Sequence, residues 1–383
     1  MTPKHRQLLE WLRPAARRLP EALKRRLRRW LAPRAAAPSF SGSADYAARI
    51  AAETAIFAGQ VEVHDLPPIF HYWSNRWLRP QLEAFGFSNP DQFFANHLEA
   101  AHADAAAAGR AARFASIGCG NCDTEVRVAG LLVERGVRDF VIDCVDINVD
   151  MLARGRALAA QAGLADHIAA AQGDFNDWRP RHAYDAVLAN QSLHHVMNLE
   201  GLFGAIESAL APAGRFITSD MIGRNGHMRW PEALAIVDDL WSALPPAYRY
   251  NRQLKRHEQR YQNWDCSVAG FEGIRAQDIL PLLLARFEFE LFIGYGNLVD
   301  LFVDRAFGPN FDADAAWDRA FIDRVHARDE AELLAGRITP THMMAVLRCR
   351  PYSGPRRQRP GLAPESCVRR PDAPGTAPEA ARR

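Results

Sequence analysis

Arg113-Phe114-Ala115-Ser116-Ile117-Gly118-Cys119-Gly120-Asn121-Cys122 decides how the rest of the chain is read. A short apolar run that breaks into a turn at Gly118 and Gly120 predicts a β-strand feeding a tight loop beneath a ligand, because glycine lets the backbone approach a bound group closely. The strand pattern recurs at Phe140 to Val145, His167 to Gln172, Tyr184 to Ala189 and Gly214 to Ser219, and helical stretches reaching about Gly136 and Gly163 separate the first three. Strands alternating with helices predict βαβ units and a parallel sheet. Phe287 to Ile293 and His342 to Arg348 supply two late strands.

Outward from this centre the chain divides by composition. Residues 44–109 read as three helices, a preface or lid, the second including Phe70-His71-Tyr72-Trp73-Ser74-Asn75-Arg76-Trp77-Leu78 and the third opening after Asn89-Pro90-Asp91. Residues 110–350 form the main domain, with helical insertions at about 224–285 and 297–337. Residues 1–43 are a basic arm that is partly disordered or amphipathic. Residues 351–383, rich in Pro, Gly, Ala and Arg, are expected to be a disordered basic tail, because so few large apolar groups cannot offset chain entropy.

Of the 383 residues 48% are hydrophobic, which is enough for a large globular core. The formal net charge of +2 conceals an uneven layout, since residues 1–34 carry eleven Lys or Arg against Glu10 and Glu21, and eight Arg face three acids in residues 350–383. The middle is therefore acidic, which argues against a broad nucleic-acid groove. No apolar run approaches the roughly 20 residues of a membrane span, and the arm lacks the apolar core of a signal peptide. A cytoplasmic protein is expected. Leu23, Leu27, Trp30 and Leu31 lie on one face of a basic helix, so peripheral contact of residues 1–34 with an anionic membrane is a further expectation. The six cysteines are expected to be reduced thiols. Cys119 and Cys122 spell C-x-x-C, but no second pair stands at zinc-site spacing, and no metal site is read from the sequence.

The Gly-rich turn is not a dinucleotide fingerprint, because Asp123 stands where a third glycine would be needed and a carboxylate repels pyrophosphate. Asp146 closes the second strand, where a carboxylate can accept from both hydroxyls of a ribose. Gln172-Gly173-Asp174-Phe175 ends the third strand, and Tyr184-Asp185-Ala186-Val187-Leu188-Ala189-Asn190-Gln191-Ser192-Leu193-His194-His195 forms and follows the fourth.

This ordered set resembles the class I S-adenosylmethionine-dependent methyltransferases of bacterial, small-molecule type. The resemblance covers about residues 112–222. It implies a doubly wound, mostly parallel, seven-stranded Rossmann-like α/β sheet, with S-adenosyl-L-methionine as cofactor. It further implies that Gly118 and Gly120 flank the cofactor, that Asp146 holds the ribose, that Ile147 is a further cofactor-binding residue, that Asp174 and Phe175 contact the adenine, and that Asn190 and Gln191 lie beside the methionine part. Two departures stand out: Ser116 replaces a frequent acidic residue, and Cys122 a frequent third glycine.

A sulfonium already activates its methyl group, so the protein has mainly to align the acceptor and, for a hydroxyl, remove a proton. His194 and His195 are the expected bases, with Asp220 and His227 next. His71-Tyr72-Trp73 and the region from Asn263 to Arg275 read as aromatic and polar lid segments. The fourth strand lacks the Asn-Pro-Pro-aromatic pattern of base N-methyltransferases, and none of the six cysteines lies near it to act as a C5-methylation nucleophile. A small-molecule or glycan-type acceptor methylated at oxygen is expected. The alternative is a catalytically silent scaffold of the same fold docked at a membrane.

Overall fold

The computed structural model describes residues 46–51, 66–268 and 270–369. The basic arm 1–43, and with it the membrane-facing stripe, lies outside the described residues. No helix among the described residues is long and apolar enough to cross a membrane.

Ten strands are described: β1 (Ala112–Ile117), β2 (Phe140–Asp146), β3 (Ile168–Gln172), β4 (Tyr184–Asn190), β5 (Leu210–Met221), β6 (Tyr250–Asn251), β7 (Arg256–His257), β8 (Glu288–Tyr295), β9 (His342–Arg348) and β10 (Arg357–Gln358). Eight form one sheet in the order β10-β8-β9-β5-β4-β1-β2-β3, and β6 and β7 make a separate small hairpin. The pairs β1/β2, β2/β3, β1/β4, β4/β5 and β8/β10 are parallel, whereas β9 runs antiparallel between β5 and β8. The order reverses between β1 and β4. At such a switch point the loops leaving the two strands part and open a crevice for a ligand.

Strand alternation divides the core into two faces. Phe114, Ile142, Ala186, Leu188 and Ile217 pack with Phe93, Phe94, Leu98, Val128 and Leu132 of the helices Pro90–Ala107 and Asp123–Glu134. Ala115, Val187, Ala189 and Phe216 face Leu202, Phe203, Ile206, Ile279 and Leu283 of the helices Leu199–Ala209 and Ala276–Arg286. Helix starts follow local chemistry. The side-chain oxygens of Asn89, Asn148 and Asn198 accept from Gln92 N, from Asp150 N and Met151 N, and from Gly201 N, supplying acceptors that the first helical turn lacks.

Three expectations need correction. The sheet has eight strands rather than seven. The eighth, β10, comes from the segment expected to be disordered after residue 350, where Leu362 and Cys367 are buried and Arg359 pairs with Glu330 and donates to Gly294 O. A few well-placed apolar and Arg side chains are enough to dock residues 351–369, and 370–383 lie outside the described residues. The insertion at 224–285 is only partly helical: Pro231–Ser242 and Ala276–Arg286 flank the β6/β7 hairpin and irregular loops.

Candidate active site

The loop after β1 is held from below and from the side. Gly118 N and Cys119 N donate to Val145 O at 2.8 and 3.3 Å, and Gly120 N donates to Asp146 Oδ2 at 2.9 Å. The other carboxylate oxygen of Asp146 accepts from Asn148 N at 2.8 Å. Asp146 thus ties the loops after two neighbouring strands, and each oxygen retains acceptor capacity for a hydroxyl. Burial raises its pKa, against the lowering effect of the Asn148 and Gly120 amides. Gly118 sits at φ +70°, where a Cβ would come within 2.6 Å of Ser192 Cβ, and Phe175 lies just beyond. Glycine is required there by backbone conformation and by contact with the β4 loop together.

The two sequence departures are resolved here. Cys122 adopts φ 57°, the left-handed conformation that favours glycine, and its thiol lies 3.7 Å from that of Cys119. Ser116 Oγ donates to Glu125 Oε1 at 2.6 Å, so a carboxyl from the next helix reaches the place where β1 lacks one. Glu125 is buried, its Oε2 has no hydrogen-bond partner, and burial pushes its pKa up to about 8. Its spacing from Ser116 gave no signal in the sequence, because Glu125 reads as an ordinary first-turn acid.

Beyond β4 the chain places three imidazoles around one carboxylate. His227 Nε2 lies 2.6 Å and His194 Nε2 3.5 Å from Glu272 Oε1, and His195 Nε2 lies 3.5 Å from Glu272 Oε2. Asp220, fully buried at the end of β5, fixes the far side of His194: its Oδ1 lies 2.7 Å from His194 Nδ1, and its Oδ2 accepts from Ser192 N and Leu193 N. Backbone bonds lock the three loops together, since Ile274 N donates to His194 O and Gly226 N to Gly273 O. Arg275 adds a bond to Met197 O and an ion pair with Glu200.

The charge states follow from these contacts. Burial alone would lower the pKa of His194, but Asp220 and Glu272 outweigh it and hold the imidazolium up to about 10. Burial lowers His227, only partly offset by its bond to Glu272, so it is neutral near pH 7. Burial would raise Glu272, yet the hydrogen bonds from His194 and His227 hold it well below the carboxylate range. Its side chain is 42% exposed, so it faces the open side of the cluster.

The remaining expected site residues occupy neighbouring loop ends. Asp174 caps a short turn through Asn176 N and accepts from Tyr46 OH at 2.7 Å, so the segment 46–51 covers this corner, with the Tyr46 ring against Phe271. Asn190 Nδ2 donates to Thr124 Oγ1, Gln191 holds φ 52° with its N–H on Ser219 O, and Ile147 O accepts from Gln172 Nε2. The expected lid His71-Tyr72-Trp73 is instead spent on the helix Ala316–Leu334, where Tyr72 donates to Asp323 and Trp73 to His326. The region from Asn263 to Arg275 does reach the site, through Glu272. Sequence reading grouped Glu272 with a lid and missed Tyr46, whose pairing with Asp174 spans 128 positions.

Residues 115–216 match the model of a family described as a methyltransferase domain. No curated protein matches the chain in sequence. Among solved structures, one from Galdieria sulphuraria assigned as a sarcosine dimethylglycine methyltransferase is 17% identical, covering 65% of this chain and 84% of its own, with a TM-score of 0.38. Geranyl diphosphate C-methyltransferase from Streptomyces coelicolor A3(2), crystallised with S-adenosyl-L-homocysteine, is 12% identical over 66% of this chain and 75% of its own, with a TM-score of 0.35. The glycopeptide N-methyltransferase MtfA with sinefungin is 14% identical over 51% and 78%, at 0.30. Likeness at this level carries nothing about substrate.

Proposed function

We propose that this chain, whose residues 115–216 match the model of a methyltransferase domain, is a class I S-adenosylmethionine-dependent methyltransferase that methylates a hydroxyl of a small-molecule or glycan-type acceptor. The observation that carries the reading is Asp146 bonded to the Gly120 amide, because it sets a two-glycine loop and a ribose-competent carboxylate side by side at the switch point. The residues fit the cofactor. Gly118 and Gly120 keep side chains out of the loop, Asp146 offers acceptor capacity, and buried Phe175 offers an apolar wall. Ile147 follows β2 with its carbonyl on Gln172, Asp174 follows β3, Asn190 ends β4 and Gln191 comes just after it. When bound, the cofactor supplies a methyl group on a sulfonium.

The protein's own contribution is orientation and proton handling. His194 is charged and immobilised between Asp220 and Glu272, which suits it to hold an acceptor oxygen rather than to take a proton near pH 7. His227 and His195 flank the same carboxylate, and neutral His227 is the better-poised base. The surroundings of a hydroxyl acceptor are therefore a donor, a base and a counter-charge, whereas an amine that is already neutral attacks through its free lone pair and needs no base in the transfer step.

The test is calorimetric titration of the full chain with S-adenosyl-L-methionine, followed by transfer of a labelled methyl group to panels of hydroxyl and amine acceptors. Saturable binding with preference for hydroxyl compounds supports the proposal. Absence of binding removes the methyltransferase reading, and preference for amines removes the oxygen reading alone.

A further inference from the structure

Three side chains from separate loops aim their ligating atoms at one point. One ring nitrogen each of His194 and His227 and a Glu272 oxygen all lie within 4.8 Å of one another, and both Nε2 atoms face Glu272 Oε1. We propose that they form a binding site for a divalent transition-metal cation, with the remaining coordination position open to an oxygen of the acceptor. Binding would displace any proton on the ligating nitrogens of His194 and His227, so in the cation-bound protein the ion takes over from these imidazoles the holding and proton-lowering roles described for the cation-free site. That role toward the acceptor rests on the methyltransferase reading, and the binding does not.

The geometry argues for a cation in four ways. The first is convergence: three tetrahedral ligands at about 2.0 to 2.1 Å from a metal stand about 3.3 Å apart, and the separations of 2.6 and 3.5 Å from Glu272 Oε1 bracket that spacing. The second is the tautomer. His194 Nδ1 is committed to Asp220 at 2.7 Å, which leaves Nε2 as the outward atom, and a carboxylate behind a ligating imidazole is the usual support of a metal-bound His. The third is backbone preorganisation. His227 is held at φ 55°, a conformation non-glycine residues seldom adopt, and Gly273 lies so close that a Cβ there would come 3.1 Å from His227 Cε1. The fourth is access, because the 42% exposure of Glu272 leaves one side of the cluster reachable by substrate.

Two imidazoles and one carboxylate select ions such as Zn²⁺, Co²⁺ or Fe²⁺ over Mg²⁺ and Ca²⁺, which favour all-oxygen shells. An open fourth position is the mark of a site that handles substrate rather than one that only braces a fold. His195, 3.5 Å from the second oxygen of Glu272, keeps that carboxylate turned toward the other two ligands.

A second group, Cys119, Cys122 and Cys144, also clusters within 4.8 Å, so the test must tell the two apart. Metal-stripped full-length protein is titrated with Co²⁺ and followed by equilibrium dialysis and absorption. The expected result is one cobalt ion showing visible d–d bands without the near-ultraviolet thiolate charge-transfer band. Glu272→Gln and His227→Gln should each weaken it by more than about 10-fold, and Asp220→Asn, which alters the support of His194 together with the acceptors for Ser192 N and Leu193 N, by about 10- to 100-fold. S-adenosyl-L-methionine binding, measured on the same variants, should persist and so report that they are folded. Should one variant fail to fold, the other decides. Absence of cobalt from the wild-type protein overturns the proposal, as does a cobalt ion with a thiolate band that survives Glu272→Gln. Cobalt bound at the His–Glu site of a protein that binds no S-adenosyl-L-methionine would leave the cation site standing and remove the methyltransferase reading.

Discussion

Replacing Asp146 by Ala separates the two jobs that its carboxylate performs. One oxygen accepts from Gly120 N at 2.9 Å and the other from Asn148 N at 2.8 Å, in a residue only 8% exposed. Removing both acceptors leaves two amides poorly served, at about 1 to 3 kcal/mol for each that water cannot reach. The variant should lose about 2 kcal/mol of stability while remaining folded. Cofactor affinity should fall by more than that local loosening explains, because the hydroxyls of a ribose lose a charged acceptor worth about 1.5 to 3 kcal/mol. That range corresponds to an increase in Kd of about 10- to 150-fold. Asp146→Asn supplies the control: one amide oxygen can keep one backbone donor, but its NH₂ group faces the other. It should recover part of the stability and little of the affinity. Denaturant unfolding measures the first quantity and calorimetric titration with S-adenosyl-L-methionine the second. A folded Asp146→Ala protein that binds the cofactor within about twofold of wild type, against the predicted 10-fold or more, would refute the ribose assignment.

Other sites give independent outcomes. Gly118→Ala must place a Cβ at φ +70° and 2.6 Å from Ser192 Cβ; it should destabilise by about 1 to 3 kcal/mol in chemical unfolding, and no measurable loss would show that the loop is slack. Glu125 has its pKa raised to about 8 from 4.5 by burial, so its contribution to stability is complete below about pH 4.5 and is lost as pH rises through 8. Glu125→Gln should therefore gain in melting temperature relative to wild type between pH 5 and 9, and parallel curves would contradict the buried state. His194, held up to about 10 despite the opposing effect of burial, stabilises fully below about pH 6.5 and loses that contribution as pH rises through 10. His194→Gln should flatten this alkaline decline in stability. In the cation-free protein, with lowered His227 as base, turnover should fall only on the acid side, below about pH 6.5, whereas a rate climbing toward pH 10 would assign the base role to His194.

Much of the fold was legible because parallel strands buried on both faces read as apolar runs, and each of the seven expected strands lies where β1 to β5, β8 and β9 stand. The two-residue β10 was not legible. Arg357 and Gln358 carry no strand pattern and pair with β8 only because Arg359, Leu362 and Cys367 dock the segment that follows. On the site side, the strand-end positions Gly118, Asp146 and Asp174 could be found by register alone, since each lies where a strand gives way to a loop. Glu272 could not, because it comes from an irregular loop within the 224–285 insertion, and contacts between distant segments, such as Ile274 N on His194 O, Gly226 N on Gly273 O and Arg275 on Met197 O, bring it to the histidines. Ser116 illustrates the converse: the carboxyl it lacks comes from Glu125, nine positions later, on the next helix. Compensation of that kind passes through space and leaves no local pattern.

The most direct test of the central claim is a crystal structure of the full chain with S-adenosyl-L-homocysteine. The account predicts the product cofactor against the Gly118–Gly120 loop, its ribose hydroxyls on the Asp146 carboxylate, and its sulfur turned toward the side on which His194, His227 and Glu272 converge. A ligand seated elsewhere, or one whose sulfur points away from that cluster, would contradict it.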